Sequence, residues 1–350
     1  MGVIVGPNGE IHITRCALSG RKQVLRKSMR PPEKTIRAGL CEEISFSFEQ
    51  PFELYHNAFS LCSMKVRLCL SELAILYNSH HIDLIETGFY ENVRRGFKLI
   101  NPGCTVPVLV HNGHPVYESH KQIRYAASQP ESDVKTLLPD DAQKRATMDR
   151  WIDLSSLTDN PLENTHLSAG NAVAGQTLPL FTTMIEKIPY YRIAEGFLRH
   201  FDKRRPLMFC VMKFFGLDVF NKIELMKNAL LTSSRNMHCH LDEFERQLTS
   251  ESGTWILGKQ FTLADVSWCV IFERLRQAES LDLFVTPNNR PACHAWWLAC
   301  IARPSYQQAI TAHEHPIVLH GSHRLRALKE SEPAVAALYA EQIGRPMNEG

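Results

Sequence analysis

The chain has 350 residues, 44% of them hydrophobic, and a formal net charge of +2. This length and composition can bury two cores, which predicts two domains, and the near-neutral charge argues against a dedicated nucleic-acid-binding protein. The ten cysteines form no CxxC pair. There is no secretory signal pattern and no run of about 18 apolar residues, as a membrane-spanning helix needs. We therefore expect a cytoplasmic protein with reduced thiols, without zinc fingers and without a membrane span.

Residues 1–48 carry many basic side chains against few acidic ones. The basic residues are Arg15, Arg21, Lys22, Arg26, Lys27, Arg30, Lys34 and Arg37. We predict a mostly irregular basic extension that lies over the fold. A transit peptide is the alternative, although the order of residues is not typical of one.

Residues 52–73, FELYHNAFSLCSMKVRLCLSEL, predict a strand, a short turn and a helix. Phe52 and Leu54 alternate with polar neighbours, and strong helix formers follow from Met64. Cys62 then lies at the helix start, where unpaired N–H groups and the helix dipole favour a thiolate. Cys62 is a candidate nucleophile or redox group, and an ordinary buried cysteine is the alternative.

A strand at 81–86, a polar helix around 91–100 and a hairpin come next, and the hairpin turns at 111–114. Val106-Pro107 precedes the hairpin, where a proline is tolerated and its peptide bond can be cis. Glu118-Ser119 follows it and begins a helix, whose free N–H groups can hold a carboxylate. These features predict a site for a small peptide-like anion.

Residues from about 160 to 232 depart from a regular helical pattern. Gly170, Gly175 and Pro179 are interpreted as breaks before a helix resumes at 181–201. Residues 200–220 combine a basic cluster with an apolar aromatic run. We favour a helix that forms the wall of a substrate site, and a membrane-surface helix is the alternative.

Residues 313–350 are predicted to be a tail that contains a short helix from Glu332 to Ile343. Two clusters, 238–240 and 313–315, contain histidine, but adjacent residues point in different directions and do not form a chelating face. No metal site is predicted. Neither a Walker A loop nor a GxGxxG motif occurs, so nucleotide binding has no support.

The order β–α–β–α–β–β–α, with Ser60 and Cys62 early, Val106-Pro107 in the middle and Glu118-Ser119 after it, resembles the N-terminal domain of glutathione transferases. Residues 255–275, with a Thr262–Asp265 capping box, and residues 290–310 are similar to the core and closing helices of that family. The resemblance covers roughly 52–160 and 235–312. It implies an α/β thioredoxin-like domain (βαβαββα) at 49–130 and an all-α substrate-binding domain at 141–312, in the glutathione transferase fold. Residues from about 160 to 232 are then an insertion in the helical domain.

The resemblance also implies glutathione as cosubstrate and a homodimer. Ser60 would hydrogen-bond the glutathione sulfur, and the backbone of Val106, shaped by a cis Pro107, would pair with its peptide part. Glu118 and Ser119 would bind the amine and carboxylate of the γ-glutamyl group.

SLCSMKVRL, residues 60–68, most resembles bacterial chlorohydroquinone reductive dehalogenases, relatives of maleylacetoacetate isomerase. This implies a hydrophobic, aromatic electrophile and a mixed disulfide between Cys62 and glutathione. Three alternatives stay open: a conjugating or isomerising transferase that uses Ser60 alone, a glutathione-dependent aryl-ether-cleaving enzyme, and a non-enzymatic membrane- or partner-binding module.

Overall fold

The computed structural model describes residues 38–342 apart from 130–135, 159 and 201, together with two short strands nearer the N-terminus. These strands are Gly2–Val5 (β1) and Ile11–Thr14 (β2), which pair antiparallel as a separate sheet. The extension is therefore not irregular at these positions. The basic residues from Arg15 to Arg37 lie outside the described residues.

The N-terminal domain contains a five-stranded mixed sheet in the order β3-β7-β6-β4-β5. Its strands are Gly39–Leu40 (β3), Phe52–His56 (β4), Asn78–His81 (β5), Val108–His111 (β6) and His114–Tyr117 (β7). Its α-helices are Leu61–Glu72 (α1), Arg95–Ile100 (α2) and Ser119–Ala127 (α3), with 3-10 turns at Ile85–Thr87 and Glu91–Val93. β4 and β5 are parallel and the other neighbours antiparallel. The predicted βαβαββα order is confirmed.

Two boundaries differ from the sequence-based prediction. β3 pairs with β7, and Cys41 and Phe46 are buried, so part of the predicted extension belongs to this domain. The strand expected at 81–86 is observed earlier, at Asn78–His81 (β5). Its last residue, His81, pairs with His56, which is the last residue of β4. Within the part of the chain that the structure describes, no strand extends the ladder beyond that pair.

The rest of the described chain is helical. The helices are Ala142–Leu154 (α4), Ala169–Gln176 (α5), Leu178–Met184 (α6), Tyr190–Arg199 (α7), Arg204–Phe215 (α8), Val219–Lys222 (α9), Glu224–Ser250 (α10), Leu263–Gln277 (α11), Leu281–Phe284 (α12), Pro291–Ile301 (α13), Pro304–Ala309 (α14), Pro316–Ser331 (α15) and Pro333–Glu341 (α16). No helix among these described residues is long and apolar enough to cross a membrane.

α11 is the buried centre of the helical domain, and its start is fixed by the predicted capping box. The Asp265 carboxylate accepts hydrogen bonds from the backbone and hydroxyl of Thr262 at 2.9 and 3.0 Å. It also accepts from the Ile256 amide at 3.0 Å and the Trp296 indole at 2.9 Å. One fully buried carboxylate therefore joins α11 to the loop before it and to α13.

The two domains share a hydrophobic core. It runs from Phe52 and Leu54 in β4 through α1 to Trp268 in α11 and Trp296 in α13. Across it, the Arg303 guanidinium binds the Glu72 carboxylate with two contacts of 2.6 Å. The shared core holds α1 in a fixed position against α11 and α14.

Gly170 and Gly175 lie inside α5 and do not break it, contrary to the sequence-based interpretation. A Cβ at Gly170 would collide with the backbone of Ser155 and Ser156, and one at Gly175 would collide with Ser233 on α10. These glycines permit close packing of α5 against its neighbours.

Residues 313–342 are not a loose tail. α15 packs along α6, where the Thr183 hydroxyl donates to the Gly321 carbonyl at 2.9 Å. Val318 and Leu325 of α15 share a second core with α6 and α8. The short helix predicted from Glu332 is observed as α16.

Candidate functional site at the start of α1

Ser60 is the N-cap of α1, and Asn57 builds the turn that presents it. The Asn57 side-chain oxygen accepts from the Phe59 and Ser60 amides at 2.9 and 3.2 Å. Its amide nitrogen donates to Ile82 O and to the Thr87 hydroxyl, each at 2.9 Å. Sequence reasoning missed Asn57, although an asparagine before a helix start is typical of such turns.

The Ser60 hydroxyl is oriented by its role as a cap. Ser60 Oγ accepts a hydrogen bond from the Ser63 amide at 3.3 Å. Because that contact uses a lone pair, the hydroxyl proton stays available to donate to a ligand.

Cys62 is half-buried in the first turn of α1. Burial lowers the pKa of Lys65, and the charge of Cys62 opposes that shift. Burial likewise lowers the pKa of Arg274 to about 9, against the charges of Glu273, Glu86 and Cys62. Arg274 donates to the Phe59 carbonyl and lies 3.7 Å above the Phe59 ring. The free N–H groups and the dipole at the start of α1 favour an anion there.

The Val106–Pro107 peptide bond is cis, as expected. Gln122 of α3 is completely buried, and its amide donates to Pro107 O at 2.9 Å and to Val116 O at 2.8 Å. Gln122 therefore couples the cis-proline loop to β7 and α3. No linear motif marks this residue in the sequence.

Glu118 is the N-cap of α3, with φ 67° and ψ 118°. Positive φ is uncommon for a residue with a side chain and occurs often at ligand sites. Glu118 is exposed and Ser119 is buried. Both stand at the start of a nine-residue helix. An anion near them would meet the free N–H groups of that helix.

A cavity of about 160 Å³ joins the N-terminal domain to the residues inserted in the helical domain. Its lining residues are Ser60, Leu84, Ile85, Glu86, Tyr90, Asn92, Cys104, Thr105, Val106, His200 and Arg205. Of the six predicted site residues, Ser60 and Val106 line this cavity. Cys62, Pro107, Glu118 and Ser119 do not.

One part of the cavity lining is polar and consists of Glu86, Tyr90, His200 and Arg205. Arg205, at the start of α8, forms an ion pair with the buried Glu86. Burial raises the pKa of Tyr90 and lowers the pKa of His200, so both are neutral at pH 7. Sequence reasoning favoured a wall within 200–220, and His200 and Arg205 supply part of it. It missed Glu86 and Tyr90, because the residues that pack against them, Arg205 and Gly196, lie in a distant part of the chain.

Residues 59–129 match the family model of the glutathione S-transferase N-terminal domain, and residues 207–304 match that of the C-terminal domain. The chain belongs to the glutathione S-transferase superfamily. This confirms the family recognised from the sequence, and it supports glutathione as the cosubstrate.

Two relatives align over most of the chain. Glutathione S-transferase TCHQD of Arabidopsis thaliana is 23% identical over 260 residues, which are 74% of this chain and 89% of the relative. Tetrachloro-p-hydroquinone reductive dehalogenase of Sphingobium chlorophenolicum is 22% identical over 264 residues, 73% of this chain and 94% of the relative. Among solved structures, the beta-etherase LigF of Sphingobium sp. strain SYK-6 has a TM-score of 0.58 at 20% identity, over 75% of this chain and 100% of LigF. The structural likeness shows the shared fold.

Proposed function

We propose that the protein is a glutathione-dependent transferase that acts on a hydrophobic, aromatic electrophile. The observation that carries this proposal is that Ser60 and the Val106 segment line one cavity at the start of α1. In this proposal glutathione lies along Val106, and its γ-glutamyl end reaches the start of α3 at Glu118 and Ser119. A cytoplasmic homodimer is part of the same proposal.

The described residues fit glutathione chemically. The backbone before Pro107 can pair with a peptide in an extended conformation, and the start of α3 favours an α-carboxylate. Glu118 is an exposed carboxylate for an α-amine. The Ser60 hydroxyl, already accepting from Ser63, can donate to the sulfur and stabilise the thiolate that attacks the electrophile.

We further propose that the reaction is reductive dehalogenation of a chlorinated hydroquinone, reacting in its quinoid form. Glutathione thiolate forms a carbon–sulfur bond and displaces chloride. The Cys62 thiolate then attacks the sulfur of this thioether, so a disulfide bond forms, the carbon–sulfur bond breaks, and the carbon takes a proton. A second glutathione thiolate attacks the mixed disulfide, which releases glutathione disulfide and restores Cys62.

This step is supported by the position of Cys62 and by the dehalogenase relative. Cys62 lies two residues after Ser60, in the first turn of α1. The relative aligns over 94% of its own length.

The test is mass spectrometry of the intact protein after incubation with glutathione and tetrachlorohydroquinone, with chloride release followed in parallel. Cys62→Ser is compared with Cys239→Ser, which changes an exposed cysteine of α10. We expect a glutathione adduct on Cys62 in the wild type and in Cys239→Ser, and accumulation of the thioether in Cys62→Ser alone. Chloride release without an adduct, and equal thioether from all three proteins, would refute the role of Cys62.

A conjugating transferase that uses Ser60 alone is the second candidate. It is favoured by the fact that Ser60 lines the cavity whereas Cys62 does not. In that case Cys62→Ser keeps full turnover with chlorodinitrobenzene and glutathione, and the thioether is the final product. The same mass-spectrometric experiment therefore separates the two reactions.

A further inference from the structure

The cavity beside Ser60 contains buried polar atoms that the described part of the protein does not satisfy. Glu86 is 4% exposed, and only its Oε1 pairs with Arg205, while Oε2 has no hydrogen-bond partner among the described residues. Tyr90 is 1% exposed, and its hydroxyl likewise has no partner in the described chain. Buried polar atoms are nearly always paired, so two unpaired ones at a single cavity indicate a ligand.

Asn92 adds a third polar group to the same wall. Its amide nitrogen donates to the Cys104 carbonyl at 2.9 Å, which fixes the direction of the side chain. Its oxygen is buried and has no partner within the described residues. The wall thus offers two acceptors, Glu86 Oε2 and Asn92 Oδ1, and one hydroxyl that can donate or accept.

The chemistry of these groups restricts the kind of ligand that can bind in the cavity. Acceptors require a ligand that carries a hydrogen-bond donor. Arg205 balances the charge of Glu86, so the cavity favours a neutral ligand over an ion. Leu84, Ile85 and Cys104 form the apolar part of the lining. The cavity volume of about 160 Å³ is close to the roughly 150 Å³ that holds a benzene-sized molecule, so an aromatic ring fills it and the peptide part of glutathione must lie outside it.

We propose that Glu86 Oε2 and Tyr90 Oη bind a hydroxyl group on the aromatic ring of the electrophilic substrate. The ring hydroxyl donates to Glu86 and accepts from Tyr90. This inference rests on the proposed function, since the ring must present its electrophilic carbon to the sulfur beside Ser60. The substrate class is therefore a phenol-type ring, and ring ethers without a free hydroxyl bind more weakly.

The inserted helices hold both of these residues in place. Arg205 of α8 occupies one oxygen of Glu86 and leaves the other for the ligand. Gly196 of α7 lies against the Tyr90 ring and hydroxyl, where a Cβ would collide with them. Because burial keeps Tyr90 protonated, its hydroxyl can act as a donor at neutral pH. The helices α7 and α8 therefore orient the hydroxyl site.

The experiment is isothermal titration calorimetry on the full chain, with S-methylglutathione present so that no reaction occurs. The two probes are hydroquinone and para-dimethoxybenzene, which share the ring and differ in the hydroxyl donors. We expect the wild type to bind hydroquinone roughly tenfold more tightly, because the ether leaves Glu86 unpaired. Tyr90→Phe and Glu86→Gln should each reduce this preference to less than about threefold.

Matched controls are Tyr191→Phe and Glu224→Gln, which change exposed residues of α7 and α10 and should keep the preference. Equal binding of the two probes by the wild type would overturn the inference. A preference that persists in either site variant would also overturn it, because both residues are required.

Failure of this inference can be told apart from failure of the proposed function. Turnover of chlorodinitrobenzene with glutathione needs no ring hydroxyl and reports the transferase reaction alone. If chlorodinitrobenzene is turned over but hydroquinone and para-dimethoxybenzene bind equally well, only the proposed hydroxyl site is wrong. A hydroxyl preference without turnover of chlorodinitrobenzene or tetrachlorohydroquinone defeats the proposed function and leaves the binding site standing.

Discussion

The two sides of the cavity are held together by different kinds of contact. On the Ser60 side, two hydrogen bonds that each span three residues cap the turn, from the Ser60 amide to Asn57 and from the Ser63 amide to Ser60. On the opposite side, Glu86 meets Arg205 across 119 positions of sequence. In our proposal the first side activates the sulfur and the second selects the electrophile. A change in the insertion can therefore alter the substrate while the sulfur site stays intact.

The largest effect is expected from Asp265→Ala. This change removes the hydrogen bonds that fix the start of α11, the helix that packs against α1. Four hydrogen bonds are lost, and the buried amide of Ile256 and indole of Trp296 lose their acceptor. We expect the free energy of unfolding to fall by about 4 kcal/mol. Urea denaturation followed by circular dichroism measures this.

Asp141→Ala is the matched control for that variant. Asp141 caps α4 in an exposed position, through one bond to the Lys144 amide at 2.8 Å. Its loss should cost about 1 kcal/mol. Equal losses in the two variants would contradict the central role of Asp265.

Ser60→Ala should have the next largest effect. Removing the hydroxyl that donates to the thiolate should lower kcat/KM roughly 100-fold for every electrophile, or about 2.7 kcal/mol. Loss of the cap should cost about 1 kcal/mol of stability. Steady-state kinetics with chlorodinitrobenzene measures the first effect. Ser71→Ala, at the far end of α1, is the control and should leave kcat/KM unchanged.

Acid should lower the stability of the protein through His56, the last residue of β4 before the turn that presents Ser60. Burial, followed by the charges of Arg67, His313, His81 and His80, lowers the pKa of His56 to about 2. A depressed histidine pKa means that the unfolded chain binds more protons below about pH 6.5, so stability is lost as pH falls through that value. Between pH 7 and pH 5 the loss from His56 should be about 2 kcal/mol.

Urea denaturation of the wild type and His56→Gln at both pH values measures this pH dependence. His56→Gln should be less stable than the wild type at pH 7 and should lose less on acidification. His166→Gln, which changes an exposed histidine, should follow the wild type. An unchanged pH dependence in His56→Gln would show that other groups cause the loss.

Gly196→Ala should have the smallest effect and should act only on the side of the cavity that contains Glu86 and Tyr90. Its Cβ must displace the Tyr90 hydroxyl, whereas alanine favours the helix by about 1 kcal/mol. We expect KM for tetrachlorohydroquinone to rise a few-fold, with KM for glutathione unchanged. Gly96→Ala, in α2, has open space at its Cβ position and serves as the control. An equal rise in both KM values would remove the distinction between the two sides.

The difference between short-range and long-range contacts also explains which features the sequence could predict. The strand, turn and helix around Ser60 and the Thr262 cap depend on neighbouring residues, and their residue types mark them directly. The cis form of Pro107 was implied by the family resemblance rather than by the residues themselves. The pairing of Glu86 with Arg205 depends on how the insertion folds back, which no local pattern encodes. The prediction of a tail at 313–350 missed α15, whose Val318 and Leu325 are buried by tertiary packing.

Arg67 gives the molecule a further property. It is 1% exposed, and it donates to Ala309 O of α14 at 2.8 Å and to Asn57 O at 3.0 Å. The turn that presents Ser60 is therefore tied to the last helix before α15. The N-terminal domain is therefore not a self-contained module, because without α14 the buried Arg67 guanidinium would lose the Ala309 acceptor.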